Sequence, residues 1–176
     1  MTNSFDTRHR SGRLAAGLIC LGAALGIPGN GAAAGEPGLP LARANAIASA
    51  AVAACKADGY AVSAAVVDSH GELVAFQKGD GSTPHTRNSS QRKAYTVVTL
   101  GPIFGFDRLG TFVARVTGKP DAEAIATLPD ILLLAGGMAI TDRGRLVGAV
   151  GVGGAPGGEK DESCAIRALD AAPAAN

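Results

Sequence analysis

The stretch GDGSTPHTRNSSQRKAYT, residues 79–96, gathers most of the groups in this chain that are equipped for chemistry. His85 supplies an imidazole, the commonest side-chain metal ligand and general base. Thr86 follows with a hydroxyl, and Arg87 and Arg92 carry guanidinium groups whose geometry matches a carboxylate. Lys93 adds a third cation, and Tyr95 offers either an oxygen ligand or a ring to pack. Beside that chemistry stands a plainer reading, in which His85 is a polar residue at a helix start. His9 lies in the N-terminal leader and His70 in an apparent tight turn, so His85 is the histidine left for a site.

A second stretch, GVGGAPGGEKDESCA (151–165), runs from glycines into a helix and can be read as an anion-cradling loop. The plainer reading is that the glycines let a strand turn tightly into that helix. Glu159 and Asp161 stand at its start, and with His85 they would make a nitrogen-and-oxygen metal set if they converged. The stretch does not match GxxxxGK[ST], and no GxGxxG follows a strand. Nucleophile-elbow and metalloprotease motifs are also missing, which argues against a classical hydrolase.

The elements that must hold these groups follow from periodicity. Apolar residues at 41, 44, 47, 48, 51, 52 and 55 predict a helix from Leu41 to Asp58, stopped by Gly59. Val62–Val67 and Leu73–Gln77 read as a hairpin around Asp68-Ser69-His70-Gly71. A second helix is predicted from Ser89 to Leu100. It can start in two ways: Thr83 capping with Pro84 at the first position, or Asn88 capping with Gln91 closing a capping box. On it, residues 87 and 91 share a face while 92 and 93 point elsewhere. Residues 101–121 read as mostly irregular, with a short helix at Ala122–Ala126. Three strands are expected at Ile131–Ala135, Met138–Thr141 and Leu146–Val152, before a C-terminal helix. That order indicates an α+β domain with helices packed on one antiparallel sheet.

Length and composition set the frame. The chain of 176 residues suits one domain. Residues 1–34 read as a signal peptide: Arg8, Arg10 and Arg13, an apolar run from Leu14 to Ile27, then Ala32-Ala33-Ala34 for cleavage. Residues 35–40 form a linker, 41–172 the domain and 173–176 a tail. Without the leader the charges nearly balance and no basic block remains, which argues against a nucleic-acid partner. No later run is long enough for a membrane span. Cys55 and Cys164 sit on apolar helix faces, where one disulfide and two buried thiols are equally open.

The segments VVDSHGELVAFQKGDGS, QRKAYT and LAGGMAITDRGRLVGAVGVGGAPGGEKDESCA together resemble the GlcG/HbpS family of haem-binding, or haem-degrading, domains, from about Leu41 to Ala171. The resemblance implies a five-stranded antiparallel sheet flanked by helices, in a profilin-like or roadblock-like sandwich. It also implies a homo-oligomer built from dimers, up to octamers. Haem would be the cofactor, with His85 the candidate iron ligand, since haem iron takes a neutral imidazole. Thr86, Arg87, Arg92, Lys93, Tyr95, Glu159 and Asp161 are the candidate surroundings. Lys93-Ala94 stands where the family's helix commonly carries Lys-Ala, and Glu159 and Asp161 fall at its acidic position.

The expectation is an exported, periplasmic or secreted protein that holds haem for sequestration, storage or slow degradation. Two alternatives stay open. One is an enzyme or sensor using the same cleft for an organic acid, a flavin or a corrinoid. The other is an oligomeric module in which the glycine-rich loops serve subunit packing.

Overall fold

The computed structural model describes residues 38–172, which lie within one compact unit. The leader and tail assigned to residues 1–34 and 173–176 lie outside the described residues, as does the first half of the linker. The elements run α1 (Leu41–Ala57), β1 (Ser63–Asp68), β2 (Leu73–Lys78), α2 (Thr86–Phe104), α3 (Leu109–Val116), α4 (Pro120–Ala126), β3 (Gly137–Asp142), β4 (Arg145–Gly153) and α5 (Gly158–Ala171). The fold is α+β, with an antiparallel sheet ordered β2-β1-β4-β3.

Helices cover both faces of that sheet. α1 and α5 pack on one side through Ile47, Ala51, Cys55, Ala165 and Ala168 against Ala64, Val66, Val150 and Val152. On the other side Val97, Leu109 and Phe112 pack with Val67, Ala139 and Ala149. β1 is buried almost from end to end because both of its faces are covered. Alternation along β1 and β4 deals successive side chains to opposite cores, the period of two that a strand imposes.

The two hairpin turns form where the sequence places them. Asp68 Oδ1 accepts from the amides of His70 at 2.8 Å and Glu72 at 3.0 Å, and Gly71 takes φ 86°. Arg143 and Gly144 both take positive φ, as the β3–β4 turn requires.

The sheet has four strands among the described residues, not five. The run Ile131–Ala135 was expected to be a strand, but its backbone bonds to α2. Arg92 Nη2 donates to the Ile131 carbonyl at 2.6 Å, and the Leu132 amide donates to Thr96 Oγ1 at 2.9 Å. Ile131 is buried with the α2–α3 core, so the run plugs a seam. An apolar run of this length has no period to distinguish those two fates.

The region read as irregular is also largely helical. α2 continues through Pro102 to Phe104 and stops at Gly105, which takes the left-handed φ of 63°. α3 follows at once. Cys55 and Cys164 are joined in a disulfide, with their Cα atoms 5.4 Å apart, and it ties α1 to α5.

Candidate functional site

The start of α2 differs from both predicted caps. Thr86 is its first residue and His85 occupies the N-cap position with φ −66° and ψ −20°, making no side-chain cap bond. Thr83 spends its hydroxyl on His85 instead, with Oγ1 and Nδ1 3.0 Å apart. The His85 side chain is exposed, and Nε2 is left open. Thr86 turns inward. Its hydroxyl lies 2.8 Å from Ser63 Oγ and donates to the Thr83 carbonyl, and Ser82 joins the same buried cluster through Ser63. That cluster stitches the helix start to β1.

Residues 85, 88, 92 and 95 lie three or four positions apart and so form one strip along α2. The strip borders a cavity of about 310 Å³ lined by Asn88, Gln91, Arg92 and Tyr95, with Gly71 and Glu72 from the β1–β2 turn and Asp130 opposite. Gln91 and Arg92 thus share the cavity, where helical spacing was expected to send them apart. Arg87 is exposed and does not line it.

Two local features hold the strip in place. Arg92 is anchored by its bond to the Ile131 carbonyl, while its Nε is buried and has no hydrogen-bond partner. An orphaned guanidinium N–H in a cavity wall is an open donor for an anionic or carbonyl oxygen. The Tyr95 ring packs on Gly71, where an added Cβ would come within 2.7 Å of Tyr95 Cε2.

Lys93 and Asp161 meet on the opposite, inner side of α2. Lys93 Nζ donates to Asp161 Oδ2 at 2.7 Å and to the Val152 carbonyl at 2.9 Å, and both side chains are almost wholly buried. Asp161 Oδ1 accepts from the Ala155 amide at 2.9 Å. Burial holds the Asp161 carboxyl above its ordinary value of 3.8, against the pull of Lys93 and the amides of Ala155 and Gly154. The glycines make this contact possible. At Gly136 an added Cβ would lie 2.7 Å from Lys93 Nζ, and at Gly151 2.0 Å from the Ser90 carbonyl oxygen.

Glu162, next along α5, is the buried carboxylate that the sequence did not single out. Its Oε1 accepts from Arg108 Nε at 3.1 Å and Nη2 at 3.0 Å, and its Oε2 from the amides of Gly110 at 2.7 Å and Gly136 at 3.2 Å. With both carboxylates satisfied, the first turn of α5 is a structural joint. Glu159, beside them, is exposed.

The structure therefore brings His85, Arg92 and Tyr95 to one strip and pairs Lys93 with Asp161 behind it. His85, Glu159 and Asp161 do not assemble a metal set: no cluster of three or more His, Cys, Asp or Glu suited to a metal exists among the described residues. Sequence reasoning passed over Glu72, Asn88 and Asp130 as wall residues. The spacing 85-88-92-95 carried a signal for Asn88, whereas Glu72 and Asp130 arrive from distant turns.

A family model described as haem degrading protein HbpS-like matches residues 39–170. The chain is similar to the crystal structure of a double mutant of HbpS from Streptomyces reticuli, with 32% identity, a TM-score of 0.69, and coverage of 90% of this chain and 97% of that one. A second crystal structure of HbpS is 35% identical, with a TM-score of 0.68, over 77% of this chain and 91% of that one. The crystal structure of a complex of PduOC with haem shares the fold at 20% identity, with a TM-score of 0.66, covering 76% of this chain and 94% of that one. No curated protein matches the chain.

Proposed function

Since the chain belongs to the HbpS-like haem degrading protein family, we propose that it binds haem non-covalently along the outward strip of α2. The observation that carries this reading is the pairing of an open imidazole nitrogen on His85 with the orphaned Nε of Arg92 on the same strip. The residues offer a haem two contacts: Arg92 suits a propionate, against the opposing charges of Glu72 and Asp130 in the same wall, and His85 on the adjoining turn offers a nitrogen ligand. Tyr95 supplies a ring face for packing. Bound haem would contribute an iron centre capable of redox chemistry, while the chain's own residues anchor and orient the group.

The cavity does not enclose the macrocycle. At about 310 Å³ it sits at the lower end of small-molecule pockets, and its walls are polar. Arg92 and Tyr95 would hold the edge of a haem bound there, and a group larger than the cavity would need cover from elsewhere. A homo-oligomer would provide that cover, and exposed Leu128 and Leu134 offer apolar surface for subunit contact. Export fits the same reading, because the Cys55–Cys164 disulfide suits an oxidising compartment and the sequence carries a leader pattern. Sequestration or storage is the role we infer, with slow degradation the further possibility that the family description raises.

Titration with haemin tests the core of the reading. A saturable Soret band is expected, shifted or lost in His85→Ala and weakened in Arg92→Gln. No saturable band would sink it. The small polar cavity also supports a second reading, in which an organic acid engages Arg92 with no haem involved. A thermal-shift panel of organic acids decides between them: stabilisation by an acid, with no specific haemin binding, selects the second.

A further inference from the structure

A larger crevice of about 430 Å³ opens between α3 and α4 and shares no lining residue with the cavity beside α2. Its walls are Phe104 and Phe112, in contact at 5.1 Å between ring centroids, with Val116 on α3 and Ala122 and Ile125 on α4. α4 contains no buried residue, so this short helix is held over the crevice by half-buried Ala122 and Ile125. Protein interiors leave few voids larger than a water molecule. An apolar crevice of this size under a thinly attached helix is room that an apolar ligand fills with a gain in burial.

Charge decides the other end of that ligand. Arg115 is already positioned at the crevice: Nη2 donates to the Phe104 carbonyl at 2.7 Å, and the guanidinium stands 5.4 Å from the centroid of the Phe112 ring. Its Nε and Nη1 remain open, in the fork that recognises a carboxylate. The Lys119 ammonium, also in the wall, has no side-chain partner among the described residues. Asp121 is the one acid present, so cations outnumber it.

We propose that this crevice binds an alkyl carboxylate of medium chain length. The chain lies against Phe112, Val116 and Ile125, and the head group sits at Arg115 and Lys119. Haem shares that chemistry, an apolar body with carboxylate at its edge, so the two sources are separated by experiment.

Calorimetric titration of the protein with decanoate is expected to show saturable binding of one molecule per chain. Decanol and decylamine should bind far more weakly. Lys119→Glu should weaken decanoate about tenfold or more, the scale of a charge-assisted pair, at unchanged thermal stability. Val116→Trp, which fills the crevice, should abolish binding. Equal binding of decylamine or decanol, no effect of Lys119→Glu, or displacement of decanoate by haemin would overturn the proposal. The haem reading stands apart from these outcomes, because His85→Ala should alter the Soret band and leave decanoate binding intact.

Discussion

Lys93 and Asp161 illustrate how a charged residue's neighbours decide its meaning. Each carries a group suited to a ligand, and each is spent on the other inside the molecule. Burying two charges costs desolvation energy that their attraction only partly offsets, yet removing one partner strands the other. Asp161→Ala is therefore expected to lower stability by about 3 to 5 kcal/mol, measured by denaturant unfolding. The pH dependence has a definite sign. Because burial raises the Asp161 carboxyl in the folded state, its protonated form favours folding. That contribution is full below the ordinary aspartate value of 3.8 and is lost as pH rises through the higher folded value. Thermal unfolding across that window should show the loss in the wild type, with the difference flattened in Asp161→Asn. An Asp161→Asn profile parallel to the wild type would contradict it.

Among the elements, α2 does the most to build the site, and it can do so because the sheet beneath it is nearly bare. Gly151 and Gly153 on β4 face Ser89 and Ser90, and a Cβ at Gly151 would fall 2.0 Å from backbone. Such an approach leaves no room for repacking, so Gly151→Ala should cost about 3 kcal/mol or more. It should also displace the strip 85-88-92-95 and weaken haemin binding along with stability. Gly59→Ala is the control for glycine as such: its Cβ meets nothing within 4 Å, and only its φ of 83° is strained. That change should cost about 1 kcal/mol and leave haemin binding unchanged. Equal effects of the two on haemin binding would mean that the close approach of α2 does not set the site.

At the scale of the whole molecule, the disulfide closes a sequence separation of 109 residues and joins the first and last helices of one layer. Cross-linking residues so far apart restricts the unfolded chain strongly, and its loss typically costs about 2 to 5 kcal/mol. Cys55→Ala/Cys164→Ala should lower the melting temperature markedly while the isolated haemin response survives at low temperature. Reductant should reproduce that drop in the wild type and have no effect on the double variant.

How much was legible before folding depends on where each signal lives. Helix α1 with its stop at Gly59 and both hairpins are local: periodicity, Asx turns and glycines at positive φ specify them within a few residues, and the structure agrees. The family signature likewise lies in short ordered segments, so membership could be read directly. The fate of Ile131–Ala135 could not, because a short apolar run serves an edge strand or a plug equally well until Arg92 and Thr96 claim its backbone. The site divides along the same line. Residue types along 85–95 marked the segment as chemical, and spacing alone contained the strip. Only tertiary packing turned Lys93 inward onto Asp161, left Arg92 Nε without a partner, and brought Glu72 and Asp130 across from distant turns. Burial and convergence depend on long-range approach, here set by glycines on β4, and no local pattern encodes where such an approach ends.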